Sequence, residues 1–260
     1  KKINEKFWNR IYYAPNVESF IFRLKPRLLD LFINSKKKLK VLDYGCGEGA
    51  NIHHLIKKYG YDGYGVDISQ PSIKNCQKKI NKKKFKLIDF DVNQNDNFFN
   101  KKFDLIISVQ VLYYLNDIDL KNRLISLNKM LKPGGYVFFT MIGTKNEYYK
   151  YFCDQRKSND GLYKVDMSSD KNYKKRQKQS IYYHYINFTK SEKDLKNKFR
   201  LFKPLKIGYY DGSLTSTKES GHHYTFLGKK NNYNIINKFN LLNSTLYISS
   251  NSILNKDRHY

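Results

Sequence analysis

The stretch Val41-Leu42-Asp43-Tyr44-Gly45-Cys46-Gly47-Glu48-Gly49 constrains this chain more than any other. The apolar Val41-Leu42 pair ends in an acid, three glycines alternate with other residues, and helix-like sequence begins at Ala50. Glycines at that spacing let a backbone turn sharply out of a strand and lie flat against a ligand. Asp43, two residues before the first glycine, sets a negative charge at the lip of the turn. A strand tip, a bare loop and an acid together make a seat for a nucleoside that carries positive charge. The spacing Gly45-x-Gly47-x-x-Ala50 also satisfies the looser dinucleotide fingerprint. A plain structural turn is a third reading of any short glycine cluster.

Segments further along the chain narrow the choice. Tyr64-Gly65-Val66-Asp67-Ile68 reads as a second strand ending in an acid, and an acid at such a tip can accept from both ribose hydroxyls. Phe85 to Leu87 leads through Ile88-Asp89-Phe90 to Asp91-Val92, a third tip, where Asp91 or its competitor Asp89 can accept from an adenine amino group. Phe103-Asp104-Leu105-Ile106-Ile107-Ser108 has the composition of a buried strand. Residues 127–140 then run helix, Lys132-Pro133-Gly134-Gly135 turn, strand.

These residues resemble one family, the class I, Rossmann-like S-adenosylmethionine-dependent methyltransferases. The likeness rests on Asp43-x-Gly45-x-Gly47-x-Gly49, Asp67, Asp91-Val92, the 103–115 segment and Leu131-Lys132-Pro133-Gly134-Gly135, in the family's order over residues 39–142. It implies an α/β fold: a seven-stranded, mostly parallel sheet with helices on both faces, an antiparallel last strand and a cap insertion after the fifth strand. It also implies S-adenosylmethionine as cofactor, leaving as S-adenosylhomocysteine. The donor would sit on Gly45, Cys46, Gly47 and Gly49 beside Asp43, with its ribose on Asp67. The adenine would lie near Ile68, Asp91 and Val92, and Gln110 would face the methionine end.

At 260 residues the chain is long enough for one large α/β domain with a proper core. The expected organisation is a single domain over 1–230 and a C-terminal extension over 231–260. Within the domain, 1–38 is a helical lead, 39–142 the donor-binding core and 143–188 the cap insertion. In the lead, Trp8, Tyr12 or Tyr13 could cover a sulfonium, since an aromatic face attracts a cation. Ser191 or Thr189 caps a helix running to Phe199, and residues 205–210 and 222–227 read as a closing hairpin. Three scattered cysteines lack metal spacing and point to a reducing cytoplasm without disulfides; no metal is expected. No apolar run reaches the ~18 residues a membrane helix needs, so no membrane span is expected.

The formal charge of +26 suggests phosphate-bearing partners, but 27 asparagines and 23 tyrosines alongside abundant lysine are also the drift of AT-rich codons. Residues 171–178 hold five basic residues in eight positions, followed by Ile181-Tyr182-Tyr183-His184-Tyr185. Methyl transfer to a hydroxyl benefits from a base near neutral pKa. His184, set among tyrosines, leads the candidates, followed by His223 and His222, with Tyr114 and Tyr113 as acceptor-side wall. Family members that methylate exocyclic amino groups of bases carry Asn/Asp-Pro-Pro-Tyr after the fourth strand. Ser108-Val109-Gln110-Val111-Leu112-Tyr113-Tyr114 stands there instead. The expected activity is O-methylation of a small polar, anionic acceptor: a phosphorylated or nucleotide-activated sugar, or a surface-glycan precursor. An RNA methyltransferase using the basic surface, and a non-catalytic S-adenosylmethionine-binding protein, are the alternatives.

Overall fold

The structure, a computed structural model, describes residues 37–89, 91–169, 183–211 and 221–231. Trp8, Tyr12 and Tyr13, the basic run 171–178 and the tail beyond Asn231 lie outside them. The chain divides into two units, Lys1–Lys230 and Asn231–Tyr260, and every described helix and strand belongs to the first.

The core alternates strand and helix: β1 (Lys40–Tyr44), α1 (Ala50–Tyr59), β2 (Asp62–Asp67), α2 (Gln70–Lys79), β3 (Phe85–Leu87), β4 (Phe103–Ser108), α3 (Asp117–Met130) and β5 (Leu131–Ile142). The insertion supplies α4 (Glu147–Tyr151), β6 (Cys153–Lys157), β7 (Tyr163–Asp166) and β8 (Tyr183–Ile186). The chain then forms α5 (Glu192–Lys198), β9 (Phe202–Tyr210) and β10 (His223–Lys230). One seven-stranded sheet runs β3-β2-β1-β4-β5-β10-β9, and the insertion makes a separate antiparallel sheet, β6-β7-β8. Strands β1 to β5 are parallel, while β10 is antiparallel to both its neighbours. This is the expected mostly parallel α/β architecture.

Successive side chains of a strand face opposite sides, so a strand covered on both faces reads as a continuous apolar run. Val41 and Leu105 join Ile52, Leu55 and Ile73 of α1 and α2 in one buried cluster. Leu42 and Ile106 join Leu120, Leu124 and Leu127 of α3 in the other. Side-chain caps set the helix starts: Asn116 accepts from the Asp119 amide at 2.7 Å, and Ser191, rather than Thr189, accepts from Asp194 at 3.2 Å.

Three local details differ from expectation. Residues 132–135 do not form a separate turn; they are the irregular start of β5, where the pairing to β4 shifts register between Phe103 and Leu105. Gly134 takes φ 70° there, a left-handed value open to glycine at little cost. Strand β3 stops at Leu87, so Asp91 and Val92 lie past it, in the coil leading to β4. Strand β9 begins at Phe202, three residues before the expected position.

That coil is held down by a buried cation. Arg123 of α3 is 1% exposed, and its Nη1 lies 2.9 Å from Asp96 Oδ2 and donates to Ser126 Oγ at 3.2 Å. Its Cζ lies 4.9 Å from the Tyr44 ring centroid and 5.0 Å from that of Phe98. The two rings stack on each other at 6.2 Å. The guanidinium thus ties β1, α3 and the 91–102 coil together through charge and ring faces. Arg123→Ala is expected to cost about 3–5 kcal/mol in urea unfolding, because Asp96 loses its partner and a cavity opens. Arg123→Met refills the cavity but still leaves Asp96 unpaired, so it should recover only the packing part of that loss, and a loss under about 1 kcal/mol for the alanine variant would show that the pair holds nothing.

Candidate active site

The glycine loop leaves β1 and enters α1 with Gly45 at φ 79°, Gly47 at φ 50° and Gly49 at φ 79°. A Cβ on Gly45 would also stand 2.3 Å from Val111 Cγ2, so both conformation and space demand glycine at that position. The loop is tied to the neighbouring strand tip. The amides of Gly45 and Cys46 donate to the Val66 carbonyl at 2.8 and 3.0 Å, and the amide of Gly47 donates to Asp67 Oδ2 at 2.7 Å. Asp67 Oδ1 accepts from the Ser69 amide at 2.8 Å. With the Ile68 amide also directed at this carboxylate, the three backbone donors leave it lone-pair capacity for a further ligand hydroxyl.

Two buried carboxylates therefore stand side by side at the strand tips. Asp43 is fully buried, and neither of its oxygens meets a donor in hydrogen-bond geometry. Burial first, then the Asp67 charge, push its pKa up to about 8, with the Asn51 amide offsetting part of the rise. Burial also raises the pKa of Asp67, against the backbone amides of Ser69, Gly47 and Ile68. Two buried acids so placed disfavour each other's ionisation, and a nearby positive charge favours it. Cys46 is a different case. Its thiol and that of Cys76 both point at the Gly47 carbonyl, at 3.6 and 3.3 Å, and burial drives the Cys46 pKa well up, as for a packing residue.

Past β4, Gln110 adopts φ 59°, an uncommon left-handed conformation for a residue with a side chain. It is held there from two sides: its amide donates to Thr140 Oγ1 at 2.7 Å, and its Nε2 donates to the Tyr210 hydroxyl at 3.0 Å. The Tyr210 ring stacks on His223, 5.0 Å between centroids and 4° between planes, because the two are direct cross-strand partners in β9 and β10. His223 in turn lies 5.9 Å from Tyr113, which packs on Tyr114 at 4.5 Å. Tyr114 lies 6.2 Å and Tyr148 5.8 Å from His184. One chain of rings thus runs from Gln110 at the glycine-loop end of the sheet into the insertion.

The His223 ring has a defined tautomer. Its Nδ1 is 2.6 Å from the Gly221 carbonyl, which can only accept, so Nδ1 carries the proton and Nε2 keeps a lone pair. Burial pulls the pKa of both His223 and His184 down to about 4. Of the other expected positions, Ile68 is half-buried beside Asp67, Val92 is half-buried against the core, and Asp91 is exposed. The positions not foreseen are Tyr210, Tyr148 and Thr140. Only the alternating pattern of β9 opposite β10 hinted at Tyr210.

The acid pair generates a stability prediction. Between about pH 4 and 8 the folded protein keeps a proton on Asp43 that the unfolded chain has released, so stability falls as pH rises through that window. Asp43→Asn should raise the melting temperature of the ligand-free protein and flatten that fall, which amounts to something on the order of 4 kcal/mol by pH 7. A variant with the wild-type pH profile would show that Asp43 is not the buried proton carrier.

A family model described as a methyltransferase domain matches residues 35–199. The ubiquinone biosynthesis O-methyltransferase of Pelagibacter ubique is 32% identical over 117 residues, 45% of this chain and 46% of that protein. The malonyl-acyl-carrier-protein O-methyltransferase 2 of Ilyobacter polytropus is 30% identical over 153 residues, 58% and 57% of the two chains. The chain thus spans about half the length of these curated relatives. A solved protein of Pyrococcus horikoshii OT3 shares the fold, with a TM-score of 0.59 at 17% identity over 87% of this chain and 99% of its own. With the family model covering more than half of its length, from the lead into β1 through α5, this chain belongs to the methyltransferase-domain family.

Proposed function

We propose that this chain takes S-adenosylmethionine as donor and O-methylates a small polar, anionic acceptor, a phosphorylated or nucleotide-activated sugar or a surface-glycan precursor. The residues at the loop suit that donor. Asp43 brings two buried oxygens without donors, next to a second buried carboxylate, and a cation satisfies both. Bound on the 43–49 loop, S-adenosylmethionine supplies a methyl group already activated on a positive sulfur. The backbone of Gly45, Cys46, Gly47 and Gly49 seats it, Asp67 offers its free lone pairs to the ribose, and Ile68, Asp91 and Val92 flank the adenine. Gln110, pinned between Thr140 and Tyr210, fixes the methionine end.

The observation that carries the hydroxyl acceptor is His223. Its Nδ1–H is committed to the Gly221 carbonyl, which leaves Nε2 as the proton acceptor. It stacks on the tyrosine that Gln110 holds, which supports a role for it as base beside the donor's reacting end. In its ring-packed surroundings the imidazole is a weak base, with a pKa of about 4. An anionic acceptor placed against it stabilises the imidazolium and raises that basicity toward neutrality, which is why an anionic substrate suits this site. Tyr113 and Tyr114 wall the acceptor side, and His184, between Tyr114 and Tyr148, is the second candidate base. O-methyltransferase chemistry is also what the names of the Pelagibacter and Ilyobacter relatives state.

The test is turnover of labelled donor with nucleotide sugars, phosphorylated sugars and total RNA as acceptors. His223→Ala should lower kcat about 10²-fold or more while calorimetric affinity for S-adenosylhomocysteine stays within about twofold. Turnover of RNA alone, or an unchanged kcat in the His223 variant alongside a large loss for His184→Ala, would move the acceptor class or the base elsewhere.

A further inference from the structure

A group of the described lysines gathers at one edge of the sheet. Because β1 to β5 run parallel, their starts share one edge, and the 43–49 loop lies at the other. The antiparallel β10 brings Lys229 and Lys230 back to the starting edge, opposite Tyr136 and next to Lys203 at the start of β9. Residues Lys82–Lys84 lead into β3, and Lys101 and Lys102 lead into β4. The last turns of α1 and α2 end at the same edge and carry two lysines each.

Favourable placement at helix C-termini accounts for that last group. It does not account for lysines that precede β3 and β4 or that end β10. Asp62 pairs with Lys84 at 2.7 Å and Asp104 with Lys132 at 2.8 Å, which neutralises those two lysines, but no ion pair among the described residues engages Lys82, Lys83 or Lys101. Ammonium groups crowded on one edge repel one another, and a polyanion relieves that repulsion. Lys230 is itself engaged, its Nζ donating to the carbonyls of Asn128 and Leu131 at 2.8 and 2.9 Å.

Aromatic rings at this edge are capped rather than open. Lys84 and Lys101 sit over Tyr64, Lys86 over Phe99 and Lys229 over Tyr136. A nucleic-acid base would find those faces occupied, whereas a plane of phosphate headgroups needs only charge density. The seven strands spread the array over about 30 Å. We propose that this lysine-rich edge docks the protein on an acidic phospholipid surface, with the 43–49 loop and the ring cluster turned away from the lipid toward soluble substrates. The attraction grows lysine by lysine and weakens as salt screens it.

Co-sedimentation of the full chain with phosphatidylcholine vesicles, with and without about 30 mol% phosphatidylglycerol, reads this directly. At about 0.1 M salt the protein should pellet only with the acidic vesicles, and it should be released at about 0.5 M. The triple variant Lys82→Glu, Lys83→Glu, Lys101→Glu should bind at least tenfold more weakly, with affinity for S-adenosylhomocysteine unchanged. Lys145→Glu with Lys150→Glu, at the opposite end, should leave vesicle binding as it was. Equal pelleting with neutral vesicles, or undiminished binding by the triple variant, overturns the proposal. Tighter binding to poly(U) than to the acidic vesicles at the same salt overturns it too and assigns the edge to nucleic acid. None of these readouts depends on which acceptor is methylated.

Discussion

The carbonyl of Val66 accepts from the amides of Gly45 and Cys46, and the carboxylate of the next residue, Asp67, accepts from Gly47. These few bonds clip the glycine loop to the tip of β2, and the donor end of the molecule is organised around them. They hold three left-handed glycines in line at the entry to α1, whose Ile52 and Leu55 pack on the sheet, and Asp43 lies buried at the end of β1. The same bonds bring a second acid next to the first. A loop so fastened is preformed for a ligand and loses little ordering entropy when one arrives.

Preforming the loop has a cost, and it is electrostatic. Two carboxylates buried together at strand tips, one of them without a donor, destabilise the empty fold. The rest of the core offsets that cost through two continuous apolar layers and through Arg123, whose charge is met by Asp96 and by the faces of Tyr44 and Phe98. Tyr44 therefore has two neighbours of opposite character, since it follows Asp43 in the chain and lies against the buried guanidinium on the other face of the strand. Stability and ligand affinity are set against each other at adjacent residues of β1.

Much of the donor end was legible in sequence because its logic is local. A strand, three glycines and an acid within nine residues leave the backbone few options, and Asp67 comes at the distance that one helix and one strand require. The pairing of the carboxylates is a consequence of parallel neighbours: β1 and β2 lie side by side, so acids at their tips meet. The register slip at the start of β5 was less legible, because Pro133 and two glycines mark a break in regular pairing without saying whether the strand resumes in line. The coil at Asp91 was harder still. What holds it is Arg123, a residue on a distant helix whose burial no local pattern announces.

The sequence by itself determined the fold class and the glycine loop, since each depends on spacing along a few consecutive residues and on backbone conformations that only certain residues reach; the meeting of Asp43 and Asp67 comes from the parallel pairing of β1 and β2. The contacts that link Gln110, Tyr210, His223 and His184 were decided only by the tertiary structure. His223 meets Tyr210 through antiparallel register, Tyr210 meets Gln110 across a hundred residues of chain, and His184 arrives on a strand of the insertion. The described lysines that precede β3 and β4 share one edge because parallel strands bring their starts together. Contacts of that kind depend on sheet order and register, which the buried layers set collectively and no single segment encodes.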